Sequence, residues 1–327
     1  MRMVGSNSIL VVVDRGPTAG DAVRKAVQLA RQSGAGVKLF ACDAERAYAL
    51  SQAFVPAGVE EARRSSIRSG QSYLEGLIHS LDAQDVPLSI AADCESPLYE
   101  SIVRRVLREH PDLVIKSVAG KSADDAPSFE ATDWQLMRTC PVTLLLTRGR
   151  PWRERPRIAA AIDASAAETS GLAISILGTA ERLVSGAHGA LDIIYVESPG
   201  LDQAERDRSR GTLRELANAR PGLGASVHIL EGPAEQTLAA FARPRAYDVM
   251  LLGALTHRPG PTPQVGTLTS RLVESLDCDF ILVKPDAYRT TVDEVRAGDP
   301  PGTAAESDPM TLHRQARPGA ATQNHPA

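Results

Sequence analysis

The sequence predicts two tandem α/β units, each built on a doubly wound parallel sheet of five strands. Two stretches carry nearly the same pattern: NSILVVVDR, whose apolar run ends at Asp14, and PRIAAAIDA, whose apolar run ends at Asp163. After each of them, apolar runs typical of strands alternate with stretches that have helical spacing. Strands that are apolar on both faces indicate a parallel sheet covered by helices on both sides. We therefore interpret the chain as a duplication.

In the first copy, strand and helix patterns alternate in the order βαβαβαβαβ. The β-branched run at 9–13 predicts a buried strand, and apolar residues within 21–32 recur at helical spacing. The later predicted strands are GVKLFACD, VPLSIAAD, 113–118 and 142–147, and the later predicted helices are 59–81, 97–109 and a stretch through 134–137. Pro97 fits the first turn of its helix, because no backbone N–H is needed there.

The second copy has the same order of elements. Its predicted strands are 158–162, 191–196, 226–230, 248–252 and 280–283, and its predicted helices are 167–183, 202–219, 234–243 and 267–276. Right-handed crossovers between parallel strands place helices on both faces of a sheet, so each copy is predicted to be doubly wound. The second copy is shorter in its middle while both ends stay in step, which indicates that the length difference belongs in loops.

These patterns divide the chain into domains at 1–148 and 157–290, joined by a linker at 149–156. The linker belongs to TRGRPWRERPR, whose five arginines and two prolines predict a hydrophilic, stiff connector exposed to solvent. Contact with phosphate or nucleic acid is the alternative that an arginine run allows. Periodicity is lost after the second domain, and large aliphatic residues become rare, so the tail at 291–327 is predicted to be disordered.

Composition sets the outer bounds on function. The chain has 327 residues, a hydrophobic content of 43% and a formal charge of −4, which gives no general attraction to nucleic acid or to anionic membranes. The four cysteines are scattered and form no CxxC pair, so we expect reduced thiols rather than disulfides or a zinc site. No apolar run approaches the roughly 20 residues that span a bilayer. We expect a soluble, cytoplasmic protein.

Ligands of open parallel sheets bind outside the carboxyl ends of the strands, which directs attention to Asp163 and Gly253. The segment that follows the predicted fourth strand of the second copy is LGALTHRPGPTPQVGTLTSRLVESLDCDFILVKP. It resembles the universal stress protein family. Nucleotide-binding members of that family carry Gly, two residues, Gly, nine residues, and then Gly with Ser or Thr, between the fourth strand and the last helix.

In this pattern Gly253 matches the first glycine, Thr256 replaces the second, and Gly266 with Thr267 completes the motif. Thr269 matches a further hydroxyl position. Nucleotide-binding members also place the adenine between an aspartate after the first strand and a residue that ends the second strand. The resemblance therefore implies that ATP or another adenine nucleotide binds in the second domain only, through Asp163, Val196, Gly253, Thr256, Gly266, Thr267 and Thr269.

The physical chemistry of the loop agrees with this implication in part. Backbone N–H groups at a helix N-terminus favour anions, and glycine lets a phosphate approach closely. However, Pro259, Pro261 and Pro263 lie inside the loop, and each lacks an N–H and has a fixed φ. Fewer donors can then turn toward a phosphate, so we expect any nucleotide binding to be weak.

The first copy departs further from the motif. Ser117 stands at the first glycine position, Gly120 at the second, and Ser128 with Phe129 where Gly with Ser or Thr is expected. TDWQLMRTCP in the first copy and CDFILVKPDAYRTTVDEV in the second resemble the tandem members of the same family. The resemblance implies an adenine nucleotide alpha hydrolase-like, Rossmann-like fold, with the two copies packed through their final strands, VTLLL and FILV, as a pseudo-dimer. An unpaired edge strand would otherwise be a liability.

Structural explanations stay open for several of these residues. Asp14 and Asp163 could simply cap the turns that follow their strands. Gly253 and Gly266 could serve only tight turns. A tryptophan such as Trp134 more often packs in a core or between repeats than on a ligand.

No catalytic set of residues can be assembled from the sequence, because no histidine lies beside a candidate nucleophile. We therefore expect a non-enzymatic stress-response protein whose tandem domains bind a small molecule, with no metal and no cofactor required for the fold. The alternative is a slow ATP-hydrolysing enzyme that uses the glycine loop of the second domain, for which a general base and metal carboxylates cannot be named. We expect neither membrane nor nucleic acid as a partner, and the sequence leaves a homo-oligomer open.

Overall fold

The computed structural model describes residues 8–16, 19–52, 58–118, 129–166, 168–255, 264–294 and 310–311. The first copy contains β1 Ser8–Val12, α1 Ala19–Ser33, β2 Gly36–Cys42, α2 Ala44–Ser51, α3 Val59–Ser80, β3 Leu88–Asp93, α4 Leu98–Glu109, β4 Leu113–Ser117, α5 Ala131–Thr139 and β5 Thr143–Thr147. The second copy contains β6 Arg157–Ala161, α6 Leu172–Ala187, β7 Ala190–Glu197, α7 Gln203–Asn218, β8 Ser226–Glu231, α8 Ala234–Ala242, β9 Val249–Gly253, α9 Thr267–Ser275 and β10 Asp279–Val283. A two-residue strand, β11 Met310–Thr311, follows.

The strands form one continuous sheet in the order β11-β3-β2-β1-β4-β5-β10-β9-β6-β7-β8. Within each copy every strand pair is parallel, and the order places the first strand at the centre. The copies join where β10 pairs antiparallel with β5, so that Phe280 lies opposite Leu146 and Leu282 opposite Leu144. The predicted fold class, two doubly wound five-stranded sheets packed as a pseudo-dimer, is confirmed.

Apolar cores lie on both faces of the sheet and run through both copies. One core lies beneath α1, α3, α6 and α7, and the other beneath α4, α5, α8 and α9. The copies also touch between α1 and α6, where a side chain in place of Gly186 would lie 3.2 Å from Cβ of Gln32. Close packing of this kind joins the two copies on the helical layer as well as through the sheet.

Two local features differ from the sequence prediction. The helix α2 was not predicted, because it buries none of its residues and so has no apolar stripe to detect. It begins after Asp43, whose carboxylate accepts a hydrogen bond from the backbone N–H of Arg46. The helix α6 begins at Leu172 rather than at 167, because Gly171 has a left-handed φ of 74°. The described residues between β6 and α6 therefore lie outside the helix.

The linker is not exposed to solvent throughout, and the prediction is wrong at Trp152, which is only 7% exposed. Its indole Nε1 donates to Asp279, a buried residue at the start of β10. Lys25 of the first copy lies 3.3 Å from the same carboxylate and 4.3 Å above the indole ring. Thr147 and the backbone N–H of Arg148 also donate to Asp279. These five residues form what we call the junction cluster.

The predicted tail departs from disorder at Val292, which packs against the core beneath α4, α5, α8 and α9, and again at β11. Met310 and Thr311 pair antiparallel with Ile90 and Ser89 of β3, at the edge of the sheet. Backbone hydrogen bonds to an edge strand require little apolar side-chain surface, so composition gives no signal for such a pairing. The rest of 295–327 lies outside the described residues.

Candidate functional site

A cavity of about 660 Å³ opens at the carboxyl ends of β6, β7 and β9 in the second copy. This volume falls within the usual range of small-molecule sites, roughly 300 to 1,000 Å³. The predicted site residues that line it are Asp163, Val196, Gly253, Gly266, Thr267 and Thr269. Thr256, the remaining predicted residue, lies outside the described residues. Four separate segments of the chain therefore bring the predicted residues to one place, as the strand order requires.

The floor of the cavity is apolar. It is formed by side chains at the ends of the central strands and on α6 and α8, namely Ile162, Ile176, Ile194, Leu238 and Leu252. These residues belong to the two cores or flank them, so the floor is held by the same packing that holds the sheet. A floor of this kind suits a flat, weakly polar group such as a heterocyclic ring.

Asp163 follows β6 and is half-buried at the cavity wall. Its Oδ1 accepts a hydrogen bond of 2.8 Å from the backbone N–H of Ser165, so the turn-capping explanation is correct for this residue. Its second oxygen, Oδ2, has no hydrogen-bond partner among the described residues. Capping therefore orients the carboxylate and leaves one oxygen free to accept from a ligand.

The two glycines of the motif are not explained by turn geometry, because neither has a positive φ. A Cβ at Gly253 would lie 2.5 Å from Cδ2 of Leu172, so this glycine is needed for close packing of α6 against β9. Gly266 is the N-cap residue of α9, with φ −62° and ψ 138°, angles that any residue adopts. Gly266 places no side chain of its own between the start of α9 and the cavity that it lines.

The two threonines of the motif differ in how they are engaged. Thr269 is buried, and its hydroxyl donates to the carbonyl of Gly253 over 2.7 Å, which ties the first turn of α9 to the end of β9. Thr267 is exposed at the first position of α9. Of the two hydroxyls, that of Thr267 is the one available to a ligand.

Sequence reasoning missed three charged residues that line the cavity, Glu168, Glu205 and Arg208. Burial raises the pKa of Glu168, but hydrogen bonds from Ser170 and from the backbone N–H groups of Leu172 and Ala173 outweigh it and hold that pKa below its ordinary value. The signal was an acid shortly before a helix start, which is typical of a cap.

The other two missed residues lie on α7. Glu205 Oε2 accepts from the backbone N–H of Asp202 over 2.9 Å in a capping box, whereas its Oε1 has no hydrogen-bond partner among the described residues. Arg208 has no ion-pair or hydrogen-bond partner within the described part of the chain. It is also the one cationic side chain among the described residues that line the cavity. The position of α7, directly after the strand that ends at the cavity, could have indicated it.

The corresponding corner of the first copy is built differently. The strands β4 and β9 and the helices α5 and α9 have equal lengths and positions, so Lys116 matches Leu252 and Asp133 matches Thr269. The side chain of Lys116 is 2% exposed, with its Nζ 3.2 Å from Asp14 Oδ2 and 3.1 Å from Asp133 Oδ1. Burial lowers the pKa of Lys116, but the two carboxylates raise it more. We call Asp14, Lys116 and Asp133 the corner cluster.

This arrangement bears on two expectations for the first copy. Asp14 forms an ion pair with Lys116 and makes no turn-capping hydrogen bond among the described residues. The N-cap residue of α5 is Glu130, so Glu130 rather than Ser128 stands at the position of Gly266. Gly120 and Ser128 lie outside the described residues.

Trp134 lies on α5 and packs against the apolar core, as expected. Its ring centroid lies 5.6 Å from that of Phe129, and both rings pack against the apolar core beneath α4 and α5. This packing accounts for the tryptophan without a ligand.

Fold and site together define a class: a tandem α/β protein with a ligand-sized cavity at the carboxyl ends of the strands in its second copy. Residues 5–148 match the universal stress protein family. The first copy therefore belongs to that family, and the resemblance inferred from the sequence is confirmed. The chain is 26% identical over 306 residues to universal stress protein E of Escherichia coli K12, which covers 88% of this chain and 96% of that protein.

A second relative and two solved structures extend this similarity over both copies. Universal stress protein E of Photorhabdus laumondii is 21% identical over 309 residues, covering 89% of this chain and 98% of that protein. A putative universal stress protein from Pseudomonas aeruginosa UCBPP-PA14 has a TM-score of 0.68 at 22% identity, covering 86% of this chain and 94% of that chain. A universal stress protein from Archaeoglobus fulgidus has a TM-score of 0.63 at 15% identity, covering 86% and 99%. These two structures show the same fold.

Three further classes of feature bear on function. In the ranges that the structure describes, no helix is long and apolar enough to cross a bilayer. The same ranges contain no group of three His, Cys, Asp or Glu residues placed to hold a metal ion. The four cysteines are free thiols, and burial raises the pKa of Cys42 and of Cys278 to about 12. Such thiols are poor nucleophiles at neutral pH.

Proposed function

We propose that this stress-response protein is a non-enzymatic binder of an adenine nucleotide, ATP or a relative with fewer phosphates, and that the second copy holds it. The observation that carries the proposal is the convergence of the motif residues Asp163, Val196, Gly253, Gly266 and Thr267 on one cavity of suitable size. Such a crevice at the switch point of a doubly wound sheet is where nucleotides bind.

The proposed orientation of the nucleotide follows from the positions of the hydrogen-bonding groups in the cavity that no described protein group engages. The adenine lies on the apolar floor near Val196, where Asp163 Oδ2 accepts a hydrogen bond from a base N–H. The phosphates lie toward the N-terminus of α9, where Thr267 supplies a hydroxyl and the helix dipole favours negative charge.

The balance of charge supports weak binding. Asp163, Glu168 and Glu205 are acidic, whereas Arg208 is the single cation at the wall within the described residues. A triphosphate brings several negative charges close to these carboxylates, and the repulsion between like charges lowers its affinity. We therefore expect dissociation constants for ATP, ADP and AMP that differ less than they would in a site rich in lysine.

The engagement of the acids supports binding without turnover. Hydrolysis needs a carboxylate or other group that is free to position water and metal. Glu168 and Glu205 are both bound to backbone N–H groups at the starts of helices. This leaves Asp163 Oδ2 and Glu205 Oε1 without a hydrogen-bond partner among the described residues, and we assign Asp163 Oδ2 to the base.

The test is calorimetric titration of the full chain with ATP, ADP and AMP, with GTP as the control for base recognition. We expect one site per chain for the adenine nucleotides and at least tenfold weaker binding of GTP, whose base presents a different hydrogen-bonding edge. Absence of binding at millimolar ATP would refute the proposal. Steady release of phosphate from bound ATP would instead favour the enzymatic alternative.

A further inference from the structure

We propose that Lys116 and Asp133 occupy the ligand place of the first copy, and that Leu252 and Thr269 at the matched positions keep the second copy open. These two pairs would then decide which copy takes a ligand. The proposal rests on the proposed function for its binding readout. Its stability readout does not depend on any nucleotide.

The first argument is positional. Asp163, Leu252 and Thr269 all line the cavity of the second copy. Their counterparts are Asp14, Lys116 and Asp133, the three members of the corner cluster. The ammonium of Lys116 therefore lies between wall positions that enclose the cavity in the other copy.

The second argument is energetic. Lys116 and Asp133 are 2% and 0% exposed at their side chains, so both ions are removed from water. A buried ion pair persists when each charge has a partner, and loss of one partner leaves an uncompensated buried charge. A ligand that entered this corner would have to displace Lys116 from Asp133. The ion pairs therefore hold the corner cluster together and oppose the entry of a ligand.

The third argument concerns the sign of the charge at the start of α5. Glu130 stands at the N-cap and Asp133 at the third helical position, where its Oδ2 accepts from the backbone N–H of Glu130 over 2.9 Å. Two acids at a helix N-terminus already satisfy its dipole. A phosphate at this end of α5 would meet carboxylates, whereas at α9 it meets Gly266 and Thr267.

The test transfers the corner cluster into the second copy with Leu252→Lys and Thr269→Asp together. The introduced ammonium can then pair with Asp163 and with the introduced carboxylate, as in the first copy. We expect ATP affinity to fall at least tenfold. We also expect the double variant to unfold at a higher denaturant concentration than Leu252→Lys alone, because the single variant buries an incompletely paired charge. The matched control, Leu252→Met with Thr269→Ser, changes the same two positions without adding charge, and a fall in ATP affinity as large as that of the charged double variant would overturn the inference.

The outcomes separate the two proposals. If the parent binds ATP and the double variant binds it equally well, the inference is wrong. If the parent does not bind ATP, the proposed function fails, and the inference is decided by stability and by a crystal structure of the double variant. An introduced ammonium within hydrogen-bond distance of both carboxylates, with a recovered unfolding midpoint, supports the inference. Additive destabilisation by the two substitutions overturns it.

If the double variant does not fold, the reverse transfer gives the same decision. Lys116→Leu should destabilise the first copy, and Lys116→Leu with Asp133→Thr should recover much of the loss, because the second change removes the acid left without its partner. Equal destabilisation by the single and the double variant would overturn the inference.

Discussion

The two copies share strand order, register and the placement of their last helix, yet they treat the same corner of the sheet differently. In the first copy Lys116 fills it with two ion pairs, and in the second Leu252 and Thr269 border a cavity of about 660 Å³. The same backbone arrangement therefore carries an ion-pair cluster at this corner in one copy, and apolar and hydroxyl side chains beside a cavity in the other.

The last strands of the copies also differ, and this gives the largest expected effect. Asp279 opens β10 and binds Lys25, Thr147 and Trp152, whereas its counterpart Thr143 makes no side-chain hydrogen bond in the described structure. Asp279→Ala should lower the free energy of unfolding by about 3–5 kcal/mol, because Lys25 is left buried without its partner. Urea unfolding followed by tryptophan fluorescence measures this. Thr143→Ala is the control, and equal losses in the two variants would contradict the assignment.

The corner itself is tested next by one change in each copy. Lys116→Met should lower the free energy of unfolding by about 3 kcal/mol, because two carboxylates lose their shared cation. Leu252→Met, which conserves volume, should lower it by less than about 1.5 kcal/mol. Burial raises the pKa of Asp133. Protonation at acidic pH therefore relieves the unpaired charge, and the loss caused by Lys116→Met should shrink as the pH falls. A loss independent of pH would speak against the ion pairs.

Ligand affinity offers the third comparison. Asp163→Ala should weaken ATP binding by about 1.5–3 kcal/mol, at least tenfold, because the carboxylate that accepts from the base is lost. Asp14→Ala should leave ATP affinity nearly unchanged, because Asp14 is engaged by Lys116 in the first copy. Calorimetric titration of both variants decides the point. Equal losses would remove the distinction between the copies.

The smallest expected effect concerns the residues that follow the last strands, Lys284 and Arg148. Burial lowers the pKa of Lys284 to about 8, and its Nζ has no hydrogen-bond partner within the part of the chain that the structure describes. Between that value and the ordinary 10.5, the unfolded chain binds a proton that the folded chain lacks, so stability rises with pH. We expect a gain of roughly 1 kcal/mol from pH 7 to pH 9.

Lys284→Met should remove that rise and stabilise the protein at pH 7. Arg148→Met is the control, because a guanidinium stays charged across this range and the variant keeps Lys284, so the rise of stability with pH should persist in it. Denaturant titrations at several pH values measure both variants. A rise that persists in Lys284→Met would assign the effect to another group.

Much of the fold was predictable because its signals are local. The apolar runs of strands and the apolar spacing of helices recur in both copies. The duplication therefore shows which elements of the two copies correspond. The residues Asp163, Gly253 and Gly266 were predictable because the carboxyl ends of central strands meet at one place. What escaped prediction depends on tertiary contacts. In the sequence Trp152 lies in a hydrophilic linker, and only the structure shows its hydrogen bond to Asp279. Lys116 is a polar residue within a predicted strand, and only the structure shows its ion pairs with Asp14 and Asp133.

The antiparallel pairing of β5 with β10 determines where the carboxyl ends of the strands of the two copies lie. Because the two sheets run in opposite directions, the carboxyl ends of their strands lie at opposite poles of the molecule. The open cavity and the corner cluster therefore point away from each other. The tandem protein is thus directional, with the proposed ligand site at one pole and the ion pairs of the corner cluster at the other.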